Sequence, residues 1–183
     1  FYRIAPKKYL RFILVLLCFS LINSSDMFLL LKAKENGCTE QHVLFLYILF
    51  NLSFAIFSFP IGKLADKVGK HWMFFIGLLL FAFCYYLIGQ FTSSSLLLLS
   101  FILYGLFYAC THGIAKAILM QTIDPNQKAS AIGFYEGMNS FCLLFANSVA
   151  GYIWFTYGSS VMLLATSIVA LLIAVWYIVS VKQ

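Results

Sequence analysis

Charged residues are scarce in this chain, and acidic residues are scarcer still. Of its 183 residues, 10% are charged, six are Asp or Glu, and 63% are hydrophobic. An ordinary soluble domain carries about 25% charged residues, so this inventory cannot cover a surface that faces water. The composition therefore excludes a typical soluble domain and indicates an integral membrane protein whose main solvent is lipid.

The sequence also lacks the residue patterns of metal, disulfide and hydrolytic chemistry. It has five cysteines but no C-x-x-C pair, and its three histidines are far apart. Neither G-x-S-x-G nor H-E-x-x-H occurs, so the alternative function class, a six-helix intramembrane enzyme, has no recognisable catalytic motif. We predict that the chain is not an enzyme and holds neither a metal nor a cofactor.

Six long apolar segments follow one another along the chain. Each is long enough to cross a hydrocarbon core of about 30 Å at about 1.5 Å per residue. The segments lack the sustained alternation of barrel strands, so helices are the expected spanning elements. The sequence predicts one all-α, six-helix membrane domain over residues 1–183, with helices at 9–31, 43–61, 72–90, 96–121, 130–155 and 160–180.

The basic residues are distributed unevenly between the two sides of this predicted bundle. The side that carries Lys32 and Lys34 has no other Lys or Arg, whereas nine fall on the opposite side: Arg3, Lys7, Lys8, Arg11, Lys63, Lys67, Lys70, Lys128 and Lys182. The positive-inside rule then places both termini in the cytoplasm. This asymmetry explains the net charge of +6 without a nucleic-acid partner.

The most charged stretch, "GKLADKVGK" at 62–70, lies in the second predicted connection. It resembles the G-x-L-a-D-r-x-G-r/k signature of the major facilitator superfamily, which occupies cytoplasmic connections between helices two and three and between helices eight and nine. Gly62, Leu64, Asp66 and Gly69 match the signature, and Lys67 and Lys70 stand where the family has arginines. The alternative is a basic loop that contains Gly and Asp by chance.

The resemblance gives this loop an expected role as a cytoplasmic gate, in which the aspartate helps to hold two halves of a transporter together. We expect Gly62 to allow close approach of helix ends and Gly69 to adopt a positive φ. Asp66 is suited to the positive N-terminal end of a nearby helix. Pro60 is expected to ease the exit of the second helix into the loop.

Two further stretches are similar to the same family. "INSSDMFLLLKAKENG" at 22–37 resembles its seventh helix, and "IDPNQKASAIGFYEGMNS" at 123–140 resembles its connection between helices ten and eleven. The six segments would then be helices seven to twelve, and the start at Phe1 rather than Met agrees with a missing first half.

A six-helix half of this family contains a 3+3 inverted repeat. The resemblance implies that the first, second, fourth and fifth segments line a cavity while the third and sixth face lipid. The expected partners are an N-terminal six-helix half, a small solute and membrane lipid, and the expected location is a bacterial inner membrane. Whether protons are transported together with the solute is left open.

Ionisable residues inside the predicted spans are the best functional candidates, because a charge at the centre of a bilayer costs at least about 2.5–3.5 kcal/mol. Lys116 and Glu136 lie ten residues on either side of Asn126. In an antiparallel hairpin they would lie at similar depth and could form an ion pair. The open alternative is a pair that only packs the hairpin.

Polar and aromatic residues continue from this pair along both helices. Tyr104, Tyr108 and His112 precede Lys116 at intervals of four, and Asn139 follows Glu136. Such stripes suit a polar substrate in an apolar cavity, although interhelical hydrogen bonding is the favoured interpretation of Asn139 and Asn147. The candidate substrate or proton-coupling residues are Asp26, Tyr104, Tyr108, His112, Lys116, Glu136 and Asn139.

Asp26 is expected toward the outer end of the first helix. It is a candidate for proton coupling, or alternatively a local helix cap or an outer-gate hydrogen bond.

The sequence thus favours half of a secondary active transporter that moves a small solute by alternating access. The solute, the proton coupling and the choice among symport, antiport and uniport are left open.

Overall fold

The computed structural model describes residues 6–181, which form helices and turns without a strand. This confirms the predicted all-α class. The helices are α1 (Lys7–Ser20), α2 (Met27–Glu35), α3 (Glu40–Val68), α4 (Lys70–Gln90), α5 (Ser94–Gln121), α6 (Lys128–Tyr157) and α7 (Ser159–Val181), with a 3₁₀ turn at Pro125–Gln127 before α6.

The helix predicted at 9–31 is wrong as a continuous element, because α1 and α2 are separated at residues 21–26. The interruption coincides with the polar run "NSSD" at 23–26. Side chains of Asn, Ser and Asp compete with the helix for backbone hydrogen bonds. Here the Ser25 hydroxyl accepts a hydrogen bond from the backbone N–H of Met27 at 3.3 Å.

The boundary predicted at residue 61 is also wrong, because α3 continues through Pro60 and Gly62 to Val68. The expected loop is reduced to Gly69, whose φ of 108° confirms the predicted positive φ. Gly62 does not mediate the expected close approach within this chain, since no described atom lies within 4 Å of a Cβ placed there. Pro60 therefore lies inside the helix instead of at its exit.

Four helices are long and apolar enough to cross a membrane: α3, α4, α5 and the Ser159–Ser180 part of α7. α6 has 30 residues but is less apolar, and α1 and α2 have only 14 and 9 residues. These helices support an integral membrane protein. Six crossings, with α1 and α2 together forming the first, remain a prediction.

α5 is the central helix of the bundle, with α3 and α4 packed along it and α7 packed on α4. α3 and α5 approach closely at Gly105, where an added Cβ would lie 2.6 Å from both the carbonyl oxygen of Phe50 and the Cβ of Ser53. The Ser53 hydroxyl also donates to the carbonyl oxygen of Ile102 at 2.7 Å. Small residues that permit such hydrogen bonds are a common means of packing membrane helices.

The outer face of α4 is apolar while the opposite face is buried against α5 and α7. Of the four candidate spans, α4 is the most buried, at 61% of its central window. Its exposed side chains follow helical spacing along one stripe: Trp72, Ile76, Leu79, Phe83 and Tyr86. This stripe is suited to acyl chains, and the lipid-facing position expected for the third segment remains a prediction.

The two ends of the bundle differ in charge. The first turns of α1 and α4 and the last turns of α5 and α7 surround one pocket, so they lie at the same end. This basic end also carries Lys63, Lys67, Lys70 and Lys128, whereas Lys32 and Lys34 lie at the opposite end. Arg3 and Lys182, which the orientation prediction also used, lie outside the described residues. The cytoplasmic location of the basic end remains a prediction.

The close approach at Gly105 yields the first testable prediction. Gly105→Ala would force the α3 backbone and Ser53 away from α5, and overpacking of this kind costs about 1–3 kcal/mol. We expect a lower unfolding temperature for the protein in detergent micelles. Gly113→Ala on the same helix is the control, because no described atom lies within 4 Å of its Cβ position. Equal effects of the two substitutions would contradict the close-packing interpretation.

Candidate functional site

A polar groove lies between α1, α5 and α6. It encloses about 200 Å³. Nine of its lining residues are polar, and the apolar remainder comes mainly from Leu16, Phe19, Phe107 and Leu143. The polar members are Ser20, Asn23, Tyr108, Thr111, His112, Lys116, Tyr135, Glu136 and Asn139. The structure thus brings four sequence candidates from α5 and α6, with Asn139, into one groove, and their functional role remains a prediction.

The ion pair predicted between Lys116 and Glu136 is present. The ammonium nitrogen of Lys116 lies 2.9 Å from a carboxylate oxygen of Glu136, and the two side chains are 44% and 41% exposed in the described chain. The pair joins α5 to α6 across their antiparallel hairpin. Because both groups remain accessible from the groove, either could exchange its partner for a polar ligand.

His112 lies in the groove one turn before Lys116. Its ring stacks on that of Tyr108, with centroids 6.1 Å apart and an interplanar angle of 25°. The ring of Phe54, from α3, meets its edge at a centroid distance of 6.4 Å. Two aromatic neighbours therefore orient the imidazole, and no hydrogen bond within residues 6–181 restrains its nitrogens.

α6 is joined to α1 and to the break that follows α1 by two hydrogen bonds, one through Asn139 and one through Asn147. The hydroxyl of Ser20 lies within hydrogen-bonding distance of the Asn139 side chain. The backbone N–H of Ser25 donates to the side-chain oxygen of Asn147 at 2.7 Å. Asn147 thus acts between helices, whereas Asn139 combines this contact with a position on the groove.

Asp26 lies at the break between α1 and α2 and contacts the middle of α5. Tyr104 donates to one carboxylate oxygen at 2.6 Å, and Tyr108 lies 3.1 and 3.3 Å from the two oxygens. The helix-cap interpretation of Asp26 is wrong, because its side chain makes no capping hydrogen bond to α2. Its expected place near the outer end is wrong as well, since both tyrosines lie near the centre of α5.

The opposite end contains a polar cluster that sequence reasoning missed. The ammonium group of Lys32 is nearly buried and donates to Ser159 and Ser160 at 2.8 and 3.1 Å. Ser159 in turn donates to Glu35, which lies 3.6 Å from Lys32. A lysine within the run "FLLLKAKE" and a serine pair opening α7 were the available signals. The cluster ties α2 to the first turn of α7.

The gate motif lies at the basic end, where most of its side chains face outward. Asp66 is 69% exposed and pairs with Lys70 one turn later at 3.4 Å. Leu64 and Lys67 are exposed, and Gly69 forms the junction between α3 and α4. Because Lys70 is the first residue of α4, Asp66 contacts the N-terminal end of the next helix, and its role in a gate remains a prediction.

Mutation of the Lys116–Glu136 pair yields the second testable prediction. Lys116→Gln or Glu136→Gln alone leaves one charge without its partner, whereas the double substitution removes both charges. We expect a coupling free energy of about 0.5–3 kcal/mol in a double-mutant cycle measured by unfolding in detergent. The exchanged pair Lys116→Glu/Glu136→Lys should recover part of the stability lost in the single variants. Additive effects would show that the two groups do not interact.

Comparison with known proteins agrees with the motif and the fold. The profile described as Major Facilitator Superfamily matches residues 11–182. An uncharacterized transporter of the MFS type from Methanocaldococcus jannaschii is 34% identical over 167 residues, which is 84% of this chain and 42% of that protein.

A second relative carries a functional name. The multidrug resistance protein MdtL of Shewanella sp. strain ANA-3 is 27% identical over 131 residues, covering 68% of this chain and 33% of that protein. The chain thus spans less than half of the length of these curated relatives. The extent of the family match and the identity to the archaeal protein show that this chain belongs to the Major Facilitator Superfamily of membrane transporters.

Proposed function

We propose that the chain is the C-terminal half of a secondary active transporter, equivalent to helices seven to twelve, and that the polar groove is its contribution to the solute path. The groove carries this proposal, because it gathers an ion pair, an imidazole and an amide within an otherwise apolar bundle. The short coverage of the longer relatives supports a second half outside this chain. That half would close the groove from the other side.

The lining favours an amphipathic solute. Phe19, Phe107 and Tyr108 supply aromatic surface, while Lys116 and Glu136 supply one charge of each sign. A flat apolar solute with a single polar or charged group could contact both kinds of surface. This class also agrees with the name of the multidrug resistance relatives.

Asp26 is the residue that we assign to proton coupling. Its carboxylate is held by two tyrosine hydroxyls, and no Lys, Arg or His among residues 6–181 forms an ion pair with it. Carboxylates embedded in a membrane serve as proton-relay groups in pumps and transporters. Because Asp26 adjoins the break between α1 and α2, its protonation would change the bonds that hold this break against α5.

Alternating access then requires the two halves to rock about the groove. The Asp66 motif at the basic end is free to contact the second half on one side of the membrane. The Lys32 cluster restrains α2 against α7 on the other side. Contacts at opposite ends that form and break in turn are the physical requirement of such a cycle.

Transport measurements on the full-length protein provide the third testable prediction. In proteoliposomes with an imposed pH gradient, amphipathic fluorescent cations should accumulate or be expelled in a gradient-dependent manner. Asp26→Asn should abolish the response to the gradient while keeping equilibrium exchange of the solute, because it imitates the protonated carboxyl. Glu136→Gln and His112→Ala should reduce solute movement in both assays by about tenfold or more, since they alter the groove itself.

The matched control is Glu40→Gln, because Glu40 is an exposed carboxylate that pairs with Lys34 at the end opposite the gate motif. It should leave both assays unchanged. Gradient-driven transport that survives Asp26→Asn would refute the proton role of Asp26. Unchanged transport in both groove variants would refute the assignment of the groove as the solute path.

A further inference from the structure

A second pocket, separate from the groove, lies at the basic end of the bundle. It encloses about 300 Å³ between α1, α4, α5 and α7. Its floor is apolar and buried, formed by Phe12, Val15 and Ile118. Its polar lining comes from four helices and consists of Lys8, Arg11, His71, Thr122, Tyr177 and Ser180.

Within residues 6–181, the two strong cations of this pocket have no acidic partner. Lys8 and Arg11 are exposed and lie three residues apart on α1, so they share one face of the helix. None of the ion pairs within residues 6–181 involves either of them, although the basic pair on α2 and the lysines at 70 and 116 all have carboxylate partners. Their charge is therefore available to a ligand.

The other side chains add hydrogen-bonding groups to this positive charge. The Nδ1 atom of His71 lies 2.7 Å from the hydroxyl of Tyr177, which orients the imidazole and leaves its Nε2 atom for another partner. The ring of Phe12 contacts both, with centroid distances of 6.1 and 6.0 Å. The aromatic part of the pocket wall is thus held together by contacts among His71, Phe12 and Tyr177.

Helix dipoles do not supply a net charge here, because α1 and α4 begin at the pocket while α5 and α7 end there. The attraction for an anion comes from the side chains. Since these are the terminal turns of membrane helices, the pocket lies at the level of lipid headgroups and its apolar floor extends toward the acyl chains. A ligand that is anionic at one end and apolar at the other fits this arrangement.

We propose that this pocket binds the phosphate of an anionic phospholipid, with Lys8 and Arg11 on the phosphate oxygens and the Phe12–Val15–Ile118 floor against the start of an acyl chain. Arginine and lysine together suit phosphate, because the guanidinium can bond two oxygens while the ammonium acts as a point charge. Basic pockets between membrane helices are established lipid-headgroup sites in general. The site is independent of the groove and of the solute that passes through it.

Native mass spectrometry of the full-length protein with defined lipids provides the test. Phosphatidylglycerol should be retained more strongly than phosphatidylcholine with the same acyl chains. Lys8→Gln/Arg11→Gln should weaken phosphatidylglycerol binding roughly 30-fold, about fivefold for each cation near the membrane surface. Ser180→Trp should also weaken it without any change of charge, because the indole would fill the pocket from the last turn of α7.

The matched control is Lys63→Gln/Lys128→Gln, which removes the same charge from the same end outside the pocket. It should keep phosphatidylglycerol binding within about twofold, because screened charges at a distance contribute little. Equal retention of the two lipids by the unmodified protein, or equal losses in the pocket and control variants, would overturn the proposal.

Inorganic phosphate and glycerol phosphate form a separate arm of the experiment. If inorganic phosphate or glycerol phosphate displaced phosphatidylglycerol at a concentration similar to that of the lipid, a soluble phosphate would be the ligand. That result would overturn the lipid assignment. Transport activity is not a readout in any arm, so failure of the proposed transport mechanism would leave this result unaffected.

Discussion

The constraint on which this structure depends is that hydrocarbon offers no hydrogen-bond partners, so polar groups inside the bundle have to find partners within the protein. Asp26 meets two tyrosines of α5, Lys116 meets Glu136 of α6, and Lys32 meets the serines that open α7. Each of these contacts joins separate elements of the bundle. The interactions that make polar groups tolerable in lipid are therefore also the ones that position the helices.

α5 packs closely against a neighbouring helix on one face and presents polar side chains to the groove on another. At Gly105 it approaches α3 so closely that a methyl group would not fit, and the Ser53 hydroxyl reaches its backbone. On another face Tyr108, His112 and Lys116 line the groove. A tightly packed helix thus carries the most polar wall of the candidate site, which keeps these side chains in place.

Composition and spacing predicted the helical class, the family and the Lys116–Glu136 contact, because these depend on hydropathy, on a local motif and on the symmetry of one hairpin. The break between α1 and α2 was not predicted, since the apolar residues on both sides extend the hydropathy signal across it. The polar run at 23–26 carried the missing information, through local competition for backbone hydrogen bonds.

The partners of Asp26 and Lys32 could not be derived from the sequence either. Their contacts join residues 78 and 127 positions apart, and only the packed arrangement of helices determines such pairs. The position of Asp26 was estimated from its distance to the end of a continuous helix, and the break made that estimate wrong. The same reasoning succeeded for Lys116 because its helix is uninterrupted through Gln121.

The junction at Gly69 has a mechanical consequence. With one residue between α3 and α4, the chain has only two soft torsion angles there, so the two helices cannot separate or slide and can only pivot. A pivot of about 10° would displace the far end of α4 by about 5 Å, given about 1.5 Å of length for each of its residues. Because the Ser167 hydroxyl of α7 is bonded to the Ala82 carbonyl of α4, α7 would move with α4, and these two helices would swing relative to α3 as one lever.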